Sequence, residues 1–476
     1  MIISLKHLLT LAAVFFGIWA ACHAILNKRN PRGAALWLVI IILLPLAGPF
    51  LYWVLGINRI HRRALQRARK KTGAGRRVYS SEHIVQDFPG DGRFKTLNLL
   101  ATTATRRPLL AGNSIEPLFD GNETFPAMLE GIGRAKNSVT LSTYILDRDA
   151  VGTRVVDSLC TAAKRGIEVR VLVDGLGTSR SALKMASRLR DAGAKISVFH
   201  PLPWLPFRRP SINMRNHRKI LVIDGQLGFT GGINISGRHF FSKYWEKELV
   251  RDVHFRIMGP VVEEMQEVFA EDWYASAGEV LEGDVFFSRP SGEADAYARA
   301  VASGPDENFE KIYEIVIGAV HTAGETITIV TPYFIPDRPL VQALRSAVLS
   351  GVEVRIFLPA RSDHMVVTWA SNAHLSELLD SGVSVYWTAP PFVHSKLMII
   401  DGLWSLIGSA NIDPRSFRLN FEFDIEVYDR DLAKKLSTYA DGLKEGAELL
   451  NSDMLLERPL ARRLCEGVAK MFAPYL

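Results

Sequence analysis

The order of apolar and polar positions divides the chain into two regions of different character. Near the N-terminus, Leu8–Leu26 is apolar apart from Thr10, Cys22 and His23, and Gly33–Ile57 runs for 25 residues without a charge. Runs of about 20 apolar residues have the length of a membrane-spanning helix. They predict two spans, about 8–26 and 34–57, joined by Asn27–Arg32 into a hairpin. Pro45, Gly48 and Pro49 near the middle of the second run allow a kink or a re-entrant path. From residue 82 the pattern changes to short β-branched runs alternating with helical periodicity. Ser138–Asp147 and Arg165–Val173 read as strands around a helix at Gly152–Lys164. Thr326–Ile335 and Ser350–Leu358 read the same way around Pro339–Leu349. Asp191–Phe199 matches Asp380–Trp387. This alternation predicts an α/β fold of mixed sheets flanked by helices, with the unit present twice.

The matched pairs lie 185 to 189 residues apart, and the next pair only 177. The first copy therefore carries about a dozen extra residues after Phe199. They are rich in proline and aromatics (Pro201, Pro203, Trp204, Pro206, Phe207, Pro210), and read either as a membrane-facing loop near the site or as a surface cover. The expected organisation is a transmembrane hairpin at 1–58, a basic flank and linker at 59–81, and two repeats at 82–277 and 278–476. At the C-terminus, Leu460, Leu464, Val468, Met471 and Phe472 have helical spacing among Arg462, Arg463 and Lys470. That segment suits docking on the core or lying on a membrane.

Charge alters this picture. The 476 residues carry a formal net charge of +7, which invites a nucleic-acid or anionic-membrane partner. Residues 1–81, however, hold thirteen Lys or Arg and no Asp or Glu, so the remainder has a balance of −6. The basic character belongs to the membrane end, and a catalytic part of that balance argues against nucleic acid as substrate. Nine cations in Arg59–Arg77 place both ends of the hairpin in the cytoplasm by the positive-inside rule. The three cysteines, Cys22, Cys160 and Cys465, lack any pairing pattern and exclude a disulfide scaffold or a thiolate zinc site.

The chemistry sits in a duplicated motif. The first copy holds His217, Lys219 and Asp224, followed by Gly231-Gly232-Ile-Asn234. The second holds His394, Lys396 and Asp401, followed by Gly408-Ser409-Ala-Asn411. Histidine and lysine alternate, so on a strand both point to one face and offer an imidazole and an ammonium to a phosphate. One imidazole can attack phosphorus while the other serves as acid and base. Lys219 and Lys396 would neutralise the non-bridging oxygens, and Asn234 and Asn411 would donate hydrogen bonds to them. Such a site needs no metal and no other cofactor. Aligning the halves puts Asp252 against Glu422, as candidates to orient the two imidazoles, each across the pseudo-twofold axis. Asp224 and Asp401 precede Gly225 and Gly402, so a turn role stands beside a catalytic one. His61, His239, His254, His321, His364 and His374 lack ligand spacing and read as surface or satisfied core residues.

These residues resemble the phospholipase D superfamily, whose members carry two such motifs meeting at one site. The similarity is greater to its bacterial cardiolipin synthase branch, through Asn30-Pro-Arg, Gly231–Ile235, Ser303–Asp306, Thr331–Asp337, Gly408–Ser416 and Leu419–Glu422. The chain departs from the family pattern at Ser236–His239, where an acidic-acidic-Tyr run is common, and at Val250 and Thr143. The resemblance implies two tandem phospholipase D-like repeats behind a membrane hairpin. It also implies His217 as nucleophile and His394 as acid/base, an order the residues alone leave open. The implied reaction moves a phosphatidyl group from one phosphatidylglycerol to another and releases glycerol. The alternative is a membrane-anchored phospholipase D or other phosphodiester hydrolase. Expected partners are phosphatidylglycerol and membrane lipids, not nucleic acid, with homo-oligomerisation open. The expected location is the bacterial cytoplasmic membrane, multi-pass, with the catalytic part on the cytoplasmic side.

Overall fold

The computed structural model describes residues 5–28, 31–56, 82–86, 88, 90–178, 182–201, 214–240, 249–290, 292–306, 308–361 and 364–473. The basic flank at 59–81 and the proline-rich loop beyond Pro201 lie outside the described residues. The chain forms two compact units, Met1–Lys70 and Lys71–Leu476.

The first unit is helical. Leu5–Asn27 packs against Pro31–Leu43, followed by the short helix Ala47–Leu51 and a π-helical turn at Tyr52–Gly56. The contact is made by Ala20, Ala24, Ile41 and Tyr52, with Trp37 against them. Tyr52 hydroxyl lies 2.7 Å from His23 Nδ1. The expected second span is not continuous: it breaks at Leu44–Leu46, where Pro45 cannot complete the helical ladder. Among the described residues no helix is long and apolar enough to cross a membrane.

The second unit holds two sheets of closely similar construction. In chain order the strands are β1 Leu110–Gly112, β2 Ser114–Phe119, β3 Ser138–Thr143, β4 Glu168–Asp174, β5 Lys195–Phe199, β6 Ile220–Ile223, β7 Leu227–Gly231, β8 Val250–Arg251 and β9 Val253–Met258. They continue as β10 Ala294–Ser303, β11 Thr326–Val330, β12 Glu353–Pro359, β13 Ser384–Thr388, β14 Phe392–Val393, β15 Leu397–Ile400, β16 Trp404–Gly408, β17 Glu422–Tyr428 and β18 Glu448–Leu449. One sheet has the order β2-β9-β7-β6-β3-β4-β5. The other contains the matching order β10-β17-β16-β15-β11-β12-β13, with β1 and β18 added at its edges. In each, three parallel strands joined by helical crossovers continue into antiparallel neighbours. β1 and the helix Gly92–Thr105 precede β2 in sequence but add to the second sheet, through β10 and the helix Lys311–Thr322.

The strands are buried on both faces, which explains their continuous apolar runs. A shared core between the sheets contains Ile220, Val222, Phe255 and Ile257 of the first and Val330, Leu397, Ile399, Phe423 and Ile425 of the second. Separate cores lie under the helices on the outer faces. The two repeats are thus a single body, with equivalent strands brought face to face.

Candidate active site

His217 and Lys219 do not lie on a sheet strand, as the alternation predicted. They occupy the extended segment just before β6, and His394 and Lys396 the segment between β14 and β15. The backbone there is paired with the opposite repeat. His217 N–H donates to Phe421 O at 2.8 Å, Phe421 N–H donates to Arg215 O at 2.8 Å, and His394 N–H donates to Arg251 O at 2.7 Å. β14 pairs in parallel with β8. Extended backbone keeps its hydrogen bonds but takes them from the other half, so each histidine is fixed beside the strand that carries the other half's carboxylate.

The carboxylates complete the arrangement. His217 Nδ1–H donates to Glu422 Oε2 at 2.9 Å, and His394 Nδ1 lies 2.8 Å from Asp252 Oδ2. Glu422 and Asp252 are both fully buried, whereas the two imidazoles keep slight exposure. With Nδ1 of each ring turned to a carboxylate, Nε2 lies on the opposite edge of the imidazole. Lys219 Nζ donates to His217 O at 2.8 Å, and Lys396 Nζ makes the corresponding bond to His394 O. The Tyr144 ring stands edge-on to His217, with centroids 5.0 Å apart, and its face lies 5.8 Å from Lys219 Nζ.

Electrostatics distinguish these groups. Burial disfavours the charged form of His217; together with Lys219 and Lys396 it outweighs the pull of Glu422, and the pKa falls below 6.5. Burial opposes the charge on Glu422, but His217 and Lys219 together hold it below the usual carboxylate range. The resting pair is therefore a neutral imidazole on an ionised carboxylate. Lys219 is pushed down to about 7, first by burial.

The motif's glycine and serine follow from the carboxylates. A Cβ on Gly232 would lie 2.3 Å from Asp252 Oδ1, so only glycine leaves room for that side chain. At the equivalent position Ser409 is accommodated because its Oγ donates to Glu422 Oε2 at 2.6 Å. Asn234 and Asn411 are buried after the second strand of each motif. Asn234 Oδ1 accepts from Ile145 N at 3.3 Å, while Asn411 Oδ1 has no protein partner among the described residues.

Asp224 and Asp401 lie away from the histidines, in the turn position that the sequence offered as the alternative to a catalytic one. Each sits at the far end of its strand, five residues beyond the lysine, in left-handed backbone with φ 53° and 48°. Asp224 accepts backbone N–H groups of Lys136, Asn137 and Ser138. Asp401 accepts those of Gly324, Glu325 and Thr326, each at 2.8 Å. Both carboxylates cap the start of the neighbouring strand, β3 or β11, which runs antiparallel to their own, the turn role that the following glycine signalled.

Other residues of the site escaped the sequence reading. Arg218, between His217 and Lys219, is buried and donates to Glu422 O, Asp272 Oδ1 and Ser303 O. The alternation that aims His217 and Lys219 one way sends Arg218 into the protein. His239 and His254 are buried, but neither is a satisfied core residue. His239 Nδ1 and both His254 ring nitrogens lack hydrogen bonds among the described residues, and burial pushes both pKa values down to about 3. The His239 ring lies 6.1 Å from that of His394. Five residues after the motif asparagine, His239 takes the position of Ser416 in the second repeat: Asn234 N–H faces His239 Nε2, and Asn411 N–H donates to Ser416 Oγ.

Comparison with known proteins agrees in extent with this duplicated site. The family described as cardiolipin synthase, PLD-like domain, matches residues 128–273 and 316–444. A phospholipase D-nuclease N-terminal family matches residues 15–56. A cardiolipin synthase of Geobacillus sp. (strain WCH70) is 35% identical over 95% of this chain and 90% of its own. The major cardiolipin synthase of Bacillus subtilis (strain 168) is 34% identical over 98% of this chain and 99% of its own. In fold, the chain resembles the crystal structure of phosphatidylserine synthase from Haemophilus influenzae Rd KW20, with a TM-score of 0.62 at 15% identity, over 80% of this chain and all of that one. With both repeats matched and relatives aligned almost end to end, the chain belongs to the cardiolipin synthase family of phospholipase D-like proteins.

Proposed function

We propose that this protein is a cardiolipin synthase, a phosphatidyltransferase that joins two phosphatidylglycerol molecules and releases glycerol. The observation that carries the reading is the pair of imidazoles, each held through Nδ1 by a buried carboxylate of the opposite repeat. The two motif lysines beside those imidazoles supply positive charge to meet the negatively charged phosphodiester.

His217, neutral at rest, attacks the phosphorus of the donor through Nε2. The bond from phosphorus to the glycerol oxygen breaks, and His394 delivers its proton to that oxygen. The head-group hydroxyl of a second phosphatidylglycerol then gives its proton to His394 and attacks the phosphohistidine. The phosphorus–nitrogen bond breaks and His217 returns to its starting state. Lys219, Lys396, Asn234 and Asn411 stabilise the charge on the non-bridging oxygens during both transfers. Glu422 and Asp252 are positioning residues that hold each ring's tautomer.

The N-terminal unit serves this reaction as a membrane anchor, with the catalytic unit on the cytoplasmic side. Support comes from its outward-facing apolar side chains, among them Leu11, Phe15, Ile18, Leu26, Ile42 and Phe50, and from its wholly cationic flank. The test is incubation of the purified full chain with phosphatidylglycerol vesicles and chromatography of the lipids. Cardiolipin with released glycerol is expected. Phosphatidic acid alone would make the protein a hydrolase, and full activity in His217→Ala would overturn the mechanism.

A further inference from the structure

The C-terminal helix Leu460–Met471 is packed with its apolar stripe outward. Its buried residues are Glu466 and Ala469, joined just beyond its end by Ala473. Glu466 takes hydrogen bonds from Arg458 and Asn372 beneath the helix. The apolar stripe faces the other way: Leu460, Leu464, Val468, Met471 and Phe472 are between 55% and 75% exposed. At 3.6 residues per turn these five share one face, opposite Glu466, Ala469 and Ala473. An ordinary surface helix does the reverse, burying its apolar stripe. The exposed charges are of one sign, since Arg462, Arg463 and Lys470 are exposed and the only acidic residue from Arg458 to the C-terminus is the buried Glu466.

The position of the helix within the catalytic unit matters. Ala469 and Ala473 pack with Ile335 and Ala370 in one small core. Ile335 N–H donates to Ile412 O, one residue from Asn411. The outward stripe is therefore joined to the site by one layer of packed side chains and one backbone bond.

We infer that Leu460–Met471 is an interfacial helix, seated in the head-group region of an anionic bilayer beside the active site it supports; this rests on the reading of the site as one for phosphatidylglycerol. The apolar face enters the acyl boundary and Arg463 and Lys470, on the side of the helix next to Leu460, meet lipid phosphates, while Arg462 pairs with the buried Glu466. A second copy of the chain fits the face less well, because a twofold contact through the stripe would bring the same three cations together without an exposed carboxylate from this helix. The membrane contact would present the site to lipid head groups directly.

The test uses the full chain reconstituted in phosphatidylglycerol vesicles. Cys22, Cys160 and Cys465 are replaced by serine, and Leu464→Cys carries an environment-sensitive fluorophore. A second variant places the same label at Thr103→Cys, on the exposed face of the helix Gly92–Thr105. Lipids brominated on the acyl chain are expected to quench the label at 464 and leave that at 103 unquenched. No quenching at 464, or equal quenching at both, overturns the inference, as does efficient 464-to-464 cross-linking between copies. In Leu464→Glu/Val468→Glu, the rate on vesicles relative to that on monodisperse short-chain phosphatidylglycerol is expected to fall about tenfold, and an unchanged ratio overturns the inference. Quenching does not depend on turnover, so failure of the transferase reading would appear separately, as absence of cardiolipin with quenching intact.

Discussion

Replacing Asp401 by alanine separates a structural carboxylate from a chemical one. The side chain is 6% exposed and accepts three backbone N–H groups at 2.8 Å and Arg93 Nη1 at 3.2 Å. The freed N–H groups lie near the surface and can be hydrated, so each lost bond is worth about 1 kcal/mol rather than the larger cost of a buried orphan. Alanine also carries a penalty of about 1 kcal/mol for the left-handed backbone at this position. The three backbone bonds and the backbone penalty come to about 4 kcal/mol, the half-exposed Arg93 pair adding little, and that is a large part of the 5–15 kcal/mol that holds a typical protein folded. Asp401→Asn, which tolerates that backbone and keeps one acceptor oxygen, should lose less than half as much. The assay is thermal unfolding followed by tryptophan fluorescence, paired with cardiolipin formation well below the transition. A clearly lowered melting temperature is expected, with kcat of the folded enzyme within about threefold of the unsubstituted value. An unchanged melting temperature with kcat down more than about a hundredfold would refute the reasoning and return Asp401 to the chemistry.

Three further outcomes follow from the site. In the proposed mechanism His217 must be neutral and Lys219 charged, so kcat/KM should fall on the acid side at a pH under the ordinary imidazole range and on the alkaline side from about pH 7 upward; Lys219→Arg, which stays charged, should move the alkaline limb upward in the measured profile. Gly232→Ala should displace Asp252 from His394 and reduce kcat about tenfold or more with the fold retained by circular dichroism, because the new Cβ would sit 2.3 Å from Oδ1. Arg299→Met should cost about 3–5 kcal/mol in chemical denaturation, because Glu426 would be left buried without the guanidinium now 3.1 Å away.

The repeats, their helices and most strands were legible in the sequence because their signals are local. A β-branched run such as Glu168–Asp174 and the periodic helix Ala150–Lys164 announce themselves within a few residues. The His–Lys motif was legible for a different reason, since its repetition at fixed internal spacing is visible without any structure. The helix break at Leu44–Leu46 was half visible: Pro45 marked the place, but whether the chain kinks or stops there depends on what packs around it.

By itself, then, the sequence determined that a duplicated α/β unit carries two His–Lys pairs at identical internal spacing behind an apolar, cationic N-terminus. The tertiary structure supplies the contacts themselves, bringing Glu422 to His217 across 205 positions and Asp252 to His394 across 142. It also separated Asp224 and Asp401 from the histidines they accompany in the motif, because five residues of extended strand carry them to the opposite end of the sheet. The outward turn of the apolar stripe at Leu460–Met471 belongs to the same class of fact. Periodicity defines the two faces of a helix, and only the packing of Ala469 and Glu466 selects the face turned inward.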